Sequence, residues 1–189
     1  KPSKLSLYLL VSYSIILVSS NIFKKISEIF YELTVGKNNP IWLLGLGERP
    51  DGATDCASFL KFDKKRPISF GMPSGHSMIT WTVVTYLLLC LYEYNQLGFV
   101  NKDSNIVESD NTKFNILGDF TNNKAINKIY TYLIVVILII FAIMVSYSRV
   151  PIENCHTIQQ VIVGGLIGII MGGLIYFIQR KVFDIKTFY

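Results

Sequence analysis

Both histidines of this chain lie in short motifs that hold the residue types needed to bind and attack a phosphoryl group. Pro73-Ser74-Gly75-His76 precedes an apolar run and so predicts the first turn of a helix, where backbone N–H groups and the helix dipole favour an anion. The Ser74 hydroxyl can donate to that anion, Gly75 lets the backbone approach it, and His76 can protonate a leaving oxygen. The alternative is a Ser74 helix cap beside a bystander histidine.

The second motif is Ser148-Arg149, followed by His156 at the start of the next apolar stretch. Pro151 predicts a break between the two helices, so Arg149 and His156 should lie at the same membrane face. Consecutive antiparallel spans bring the start of the first, with His76, to that face as well. The alternatives are a snorkelling cation for Arg149 and a satisfied polar residue for His156.

The elements that must position these motifs are long stretches without charge. Apolar residues make up 51% of the 189 residues, and the charged residues gather between the apolar runs. This pattern predicts an all-α, polytopic transmembrane helical bundle. The four predicted spans are Leu5 to Phe23, Ser77 to Tyr92, Ile129 to Ser148 and Thr157 to Gln179. A signal peptide is the alternative for the first span, and Ile26 to Leu46 is interpreted as a further kinked, partly buried helix.

We predict one integral-membrane domain over residues 1–189, with residues 97–128 as a polar loop insertion within it. The net charge of +5 does not indicate nucleic-acid binding, because the basic residues lie at membrane boundaries and no RNA- or DNA-binding motif occurs. No metal or other cofactor is predicted, since no cluster has metal-ligand spacing. The expected partners are lipids. A channel or transporter would need charges in mid-span, which three of the predicted spans lack entirely.

These motifs resemble the signature of the type 2 phosphatidic acid phosphatase superfamily, in which a Lys-x6-Arg-Pro motif comes before the two described above. Arg49-Pro50 is the matching first motif, although Arg66-Pro67 is an alternative. The sequence around the second and third motifs, with Gln160, is most similar to the dolichyl pyrophosphate phosphatase branch. The resemblance implies a membrane phosphatase that removes the terminal phosphate of a polyisoprenoid diphosphate.

The resemblance also implies a role for each site residue. His156 would be the nucleophile that forms a phosphohistidine, and His76 the general acid. The implied phosphate-binding residues are Arg49, Ser74, Gly75 and Arg149. Gln160 would orient His156, because its carbonyl can accept the Nδ1 proton.

The chain departs from the family signature in three places. Trp42 stands where the first motif has its lysine, so that contact would be missing or supplied by Lys37 or by a basic cluster at residues 61–66. Six residues separate Arg149 from His156 where the family has five, so the backbone must absorb one more. Gln160 replaces the aspartate of many relatives. These departures leave open an inactive relative that binds lipid phosphates, and other substrates such as phosphatidate, a sphingoid phosphate or undecaprenyl diphosphate.

The orientation of the site is predicted from basic residues. Lys24, Lys25, the 97–128 loop and the C-terminal tail are expected opposite the motifs, which by the positive-inside rule places the site in the lumen, with the endoplasmic reticulum as the expected membrane. Cys56 and Cys155 are expected near the site, where free thiols are favoured over a disulfide.

Overall fold

The computed structural model describes residues 4–36, 39–53, 69–100 and 124–183, with the backbone alone for 4–13, 94–100, 124–128 and 182–183. Within these ranges the chain is helical, and the only strand-like feature is an isolated bridge between Ile41 and Gly45. The helices are α1 (Lys4–Thr34), α2 (Gly75–Val100), α3 (Lys124–Tyr147), a π-helix (Ser148–Ile152) and α4 (Ile158–Phe183). The predicted all-α class is confirmed.

Three helices in the described part of the chain are long and apolar enough to cross a membrane. They are Gly75–Glu93, Ile129–Ile152 and Ile158–Lys181, and they match three predicted spans. Large apolar side chains such as Phe141 and Phe177 are exposed on α3 and α4, as expected for helices that contact lipid. The chain is therefore an integral membrane protein. The remaining predicted span, Leu5 to Phe23, lies in α1. It stays a prediction, because the side chains of residues 4–13 lie outside the description.

The helix predicted over Ile26 to Leu46 is correct only as far as Thr34, where it is the continuation of α1, and the kink and the remainder are wrong. Helix α1 continues unbroken to Thr34. It is closed by a turn at Gly36, which has a φ of 84° and donates its N–H to Tyr31 O at 2.8 Å. A glycine in this left-handed conformation closes a helix because it has no Cβ atom to strain. Residues 39–53 then form a non-helical loop, which carries the first motif.

Helices α2 and α4 pack closely through three glycines spaced four residues apart. The facing pairs are Gly164 with Ser74, Gly168 with Met78, and Gly172 with Thr82. A Cβ atom on Gly164 would lie 2.5 Å from Ser74 O, so only glycine permits this approach of the two backbones. Residue numbers increase in the same direction along both helices in these pairs. The two helices therefore run parallel, and their N-terminal ends meet. This end of the bundle holds the second and third motifs.

Helix α3 runs antiparallel to α2 and ends at the same place. Trp81 Nε1 donates to Ser146 Oγ at 3.1 Å, and Ser77 Oγ lies 3.2 Å from the same oxygen. At the opposite end of the bundle, Glu93 bonds Arg180 at 2.9 Å and joins α2 to α4. The predicted 97–128 loop begins and ends with helical residues of α2 and α3, and residues 101–123 lie outside the description.

Candidate active site

Gln160 connects the three motifs. Its side chain is fully buried, and its Nε2 atom donates to Leu46 O at 2.8 Å and to Glu48 O at 2.6 Å. Its Oε1 atom accepts the backbone N–H of Thr157 at 3.2 Å and lies 3.0 Å from Nδ1 of His156. One carboxamide therefore ties the loop of the first motif to the histidine of the third.

The hydrogen bonds of Gln160 also determine the tautomer of His156. An amide nitrogen placed between two carbonyl oxygens must donate to both, so the other amide atom is the oxygen, which only accepts. Nδ1 of His156 must then carry the proton that this oxygen accepts. In the neutral ring Nε2 is unprotonated and keeps its lone pair.

His156 is buried, with 2% of its surface exposed. Burial lowers the pKa of His156 to about 4, with smaller contributions in the same direction from the nearby charges of Arg49, Lys24 and His76, while the hydrogen bond to Gln160 raises it. The ring is consequently neutral near pH 7. His76, in the first turn of α2 as predicted, lies within electrostatic reach of His156.

Two buried donors in the described residues have no hydrogen-bond partner, and both lie in the predicted motifs: Ser74 Oγ and Arg149 Nε. The Ser74 backbone is held instead, since its N–H donates to Gln160 O at 3.0 Å. Because the Ser74 hydroxyl bonds no backbone amide, it does not cap α2 in the way that the alternative interpretation required. Buried donors in proteins nearly always have an acceptor, which is supplied by the protein, by water, by an ion or by a ligand.

The π-helix Ser148–Ile152 accommodates the additional residue between Arg149 and His156. A π-helical turn contains one residue more than an α-helical turn, and Glu153 N–H donates to Ser148 O, five residues back, at 3.0 Å. Pro151 lies inside this turn, so the helix ends at Ile152 and not at the predicted end of the span, Ser148. The backbone N–H of His156 donates to Arg149 O at 3.2 Å, which brings the two motif residues together.

Sequence reasoning missed the carboxylate partner of Arg149. Glu153 Oε2 accepts from Arg149 Nη1 at 2.8 Å, and only 4% of the arginine side chain is exposed. The four-residue spacing of Arg149 and Glu153 was the available signal. The pair holds the Nη1 side of the guanidinium, and Nε takes no part in it.

Arg49 extends from the non-helical loop to the residues that precede the second and third motif histidines. Its Nη2 atom donates to Ser69 Oγ at 2.8 Å, and its Nη1 atom lies 3.5 Å from the backbone oxygen of Cys155, the neighbour of His156. The loop is held on α1 by Tyr31, whose hydroxyl donates to Gly45 O at 2.9 Å. The loop thus brings the arginine of the first motif beside the third.

A family model described as the PAP2 superfamily matches residues 6–184, nearly the whole chain. The chain belongs to the PAP2 superfamily. Members of this superfamily are phosphatases, so the membership supports a phosphatase activity for this membrane protein. No curated protein sequence and no solved structure is detectably similar to it. Among the described residues of this PAP2 protein, no group of His, Cys, Asp or Glu could hold a metal ion.

The first motif of this PAP2 protein differs most from the family signature. Trp42, at the position of the missing lysine, is 96% exposed and carries no charge. Lys37, Arg66 and the 61–66 cluster lie outside the described residues. Lys24, predicted on the face opposite the motifs, instead lies beside the site, with Nζ 3.4 Å from Ser69 Oγ. That prediction is wrong because α1 packs, with Ser20 and Lys24, against the start of α2 at Gly75.

The cysteines of this PAP2 protein are not all free. Cys155 is disulfide-bonded, whereas Cys90 is a free thiol. The preference for free thiols next to the site was therefore wrong for Cys155. Cys56, the third of the three cysteines, lies outside the described residues. The disulfide adds a covalent restraint directly before His156.

Proposed function

We propose that this PAP2 protein hydrolyses the terminal phosphate of a lipid diphosphate by attack of His156 on phosphorus. The observation that carries the proposal is the set of buried groups at one end of the bundle. A neutral histidine with a fixed tautomer shares this end with two buried donors, Ser74 Oγ and Arg149 Nε, that lack protein acceptors among the described residues. Phosphoryl oxygens supply such acceptors.

In the proposed first step, the lone pair on Nε2 of His156 forms a bond to phosphorus while the bond from phosphorus to the leaving oxygen breaks. His76 gives its proton to that oxygen, which leaves as part of the lipid product. The Nδ1–H of His156 donates a hydrogen bond to Gln160 Oε1 throughout, which prevents the ring from turning. The product of this step is a phosphohistidine at position 156.

In the second step, water attacks the phosphohistidine, His76 accepts a proton from that water, and the bond between phosphorus and Nε2 breaks. Inorganic phosphate leaves and both histidines return to their initial states. Arg49, Arg149, Ser74 and the amides at Gly75 would stabilise the charge on the phosphoryl oxygens in both steps. The helix start at Gly75 favours this charge further.

The substrate class within this proposal comes from the resemblance to the dolichyl pyrophosphate phosphatase branch. Gln160, the branch's residue at this position, makes bonds here that an aspartate could not make, because a carboxylate has no N–H for Leu46 and Glu48. This supports dolichyl diphosphate as the substrate and the endoplasmic reticulum as the membrane. The lumenal orientation loses part of its basis, since Lys24 lies at the site.

The test is phosphate release by the purified protein in detergent from dolichyl diphosphate, dolichyl phosphate and phosphatidate. We expect the highest kcat/KM with dolichyl diphosphate and no release by His156→Ala. Faster release from phosphatidate would replace the proposed substrate with another lipid phosphate. Saturable binding of all three lipids without release from any would identify an inactive, lipid-binding relative and contradict the proposed function.

A further inference from the structure

Lys24 lies where α1 meets the first turn of α2. A Cβ atom on Gly75 would lie 4.0 Å from Lys24 Nζ and only 2.9 Å from Ser20 Oγ. Glycine at position 75 therefore allows α1 to pack against the start of α2. As a result, a lysine ammonium group lies next to the backbone of the second motif.

Lys24 and Arg49 converge on the same hydroxyl group. Ser69 Oγ accepts from Arg49 Nη2 at 2.8 Å and lies 3.4 Å from Lys24 Nζ. Two cationic groups at this separation repel each other, and an anion with several oxygens can bind both and relieve that repulsion. The charge of Lys24 also acts on His156, where it contributes to the lowered pKa.

The charge at the site also calls for a further cation. Glu153 lies 2.8 Å from Arg149 and offsets its positive charge. A lipid diphosphate carries at least two negative charges at neutral pH, so Arg49 and the Arg149–Glu153 pair do not neutralise it by themselves. A partly buried phosphate that is left uncompensated binds poorly.

We propose that Lys24 binds phosphoryl oxygens of the substrate together with Arg49, and so supplies from α1 the cation that position 42 of the first motif does not provide. The proposal rests on the proposed function, because it names a contact within the same site. Trp42 is uncharged and 96% exposed, so it cannot supply a cation there. No pattern in the sequence links Lys24 to the motifs, since the contact depends on how α1 packs.

Lys25 offers a matched control. It is the next residue of the same helix, its side chain is 69% exposed, and it pairs with Glu28 at 2.9 Å. Lys24→Met keeps the aliphatic stem beside Gly75 and removes the charge, and Lys25→Met makes the same change on the exposed face. Lys24→Arg keeps the charge. Thermal unfolding of each purified variant in detergent verifies that it is folded.

The experiment measures vanadate binding by each purified protein and kcat/KM for dolichyl diphosphate. We expect Lys24→Met to weaken vanadate binding and lower kcat/KM on the order of 10- to 100-fold, the usual effect of a charged hydrogen bond. Lys25→Met should stay within about twofold of the wild type, and Lys24→Arg should retain most of the binding.

The outcomes separate this proposal from the proposed function. Vanadate binding and turnover by Lys24→Met that equal those of Lys25→Met would overturn the role of Lys24 and leave the phosphatase proposal intact. A wild-type protein that neither binds vanadate nor releases phosphate would overturn both. A variant that unfolds is replaced by Lys24→Gln, which keeps a polar side chain of similar length, and the same comparison decides.

Discussion

The side-chain oxygen of Gln160 lies 3.0 Å from Nδ1 of His156, while the nitrogen of the same amide bonds the loop that precedes Arg49. The residue therefore has two roles that need opposite hydrogen-bonding groups. An acceptor is required toward His156, and a double donor is required toward Leu46 and Glu48. Only an amide supplies both.

This relationship predicts that Gln160→Glu is harmful, although glutamate keeps an acceptor for His156. The change removes both donors and buries a carboxylate beside two carbonyl oxygens, at a cost of about 3 kcal/mol or more. We expect a lower melting temperature and severely reduced turnover. Gln159→Glu, on the exposed neighbouring residue, should change neither. Higher activity in Gln160→Glu would show that a carboxylate serves better and that the two donor bonds are dispensable.

The two histidines should differ in their effect on turnover. We expect His156→Ala to abolish phosphate release, because the nucleophile is lost, and His76→Ala to slow it on the order of 10² to 10⁴-fold, the usual contribution of a general acid. Steady-state kinetics measures both effects, and vanadate should inhibit the wild type. Turnover that survives His156→Ala, or that a chelator removes and magnesium restores, would refute the mechanism.

Ser74 and Ser77 are both fully buried near the start of α2 and provide a matched pair. Ser74 Oγ has no partner among the described residues, whereas Ser77 Oγ donates to Val161 O at 2.9 Å. Ser74→Ala should therefore leave the melting temperature unchanged and weaken vanadate binding. Ser77→Ala should cost about 1 kcal/mol of stability and leave vanadate affinity intact. The reverse pattern would place the phosphate contact at Ser77.

The packing of α2 on α4 can be tested with two glycines of α4. A methyl group on Gly168 would collide with Met78 O, while Gly173 has nothing within 4 Å of the corresponding position. We expect Gly168→Ala to cost about 1–3 kcal/mol through overpacking and to reduce activity, because the motifs are then pushed apart. Gly173→Ala should be neutral. Equal melting temperatures for the two variants would contradict the close approach of these helices.

The pH dependence of stability should contain a contribution from His156. Its pKa of about 4 in the folded protein is below the ordinary 6.5, so the unfolded chain takes up the proton first as the pH falls. The contribution of His156 to the free energy of unfolding is therefore highest above pH 6.5. It falls progressively toward pH 4, by about 3 kcal/mol at most. Melting temperatures at pH 7.5 and 5.0 should therefore differ more for the wild type than for His156→Gln. Equal differences would indicate a solvated histidine.

The amino-acid sequence alone determined the helical class, three of the spans and the meeting of the second and third motifs at one end of the bundle. These features follow from local properties: charge-free runs long enough to cross a bilayer, and motifs placed at the ends of those runs. The extra residue between Arg149 and His156 was also visible in the sequence. Its accommodation in a π-helix was not, because spacing does not specify which turn absorbs an insertion.

Tertiary structure alone decided the contacts between distant segments. Gln160 bonds carbonyl groups more than a hundred residues earlier in the chain, and Lys24 reaches the site because Gly75 lets α1 approach. The sequence pattern placed Lys24 on the opposite face and extended a kinked helix through residues 26–46. The two errors have different causes. The end of α1 is set by the left-handed turn at Gly36, whereas the position of Lys24 depends on packing that requires the absence of a side chain at position 75, which no local periodicity records.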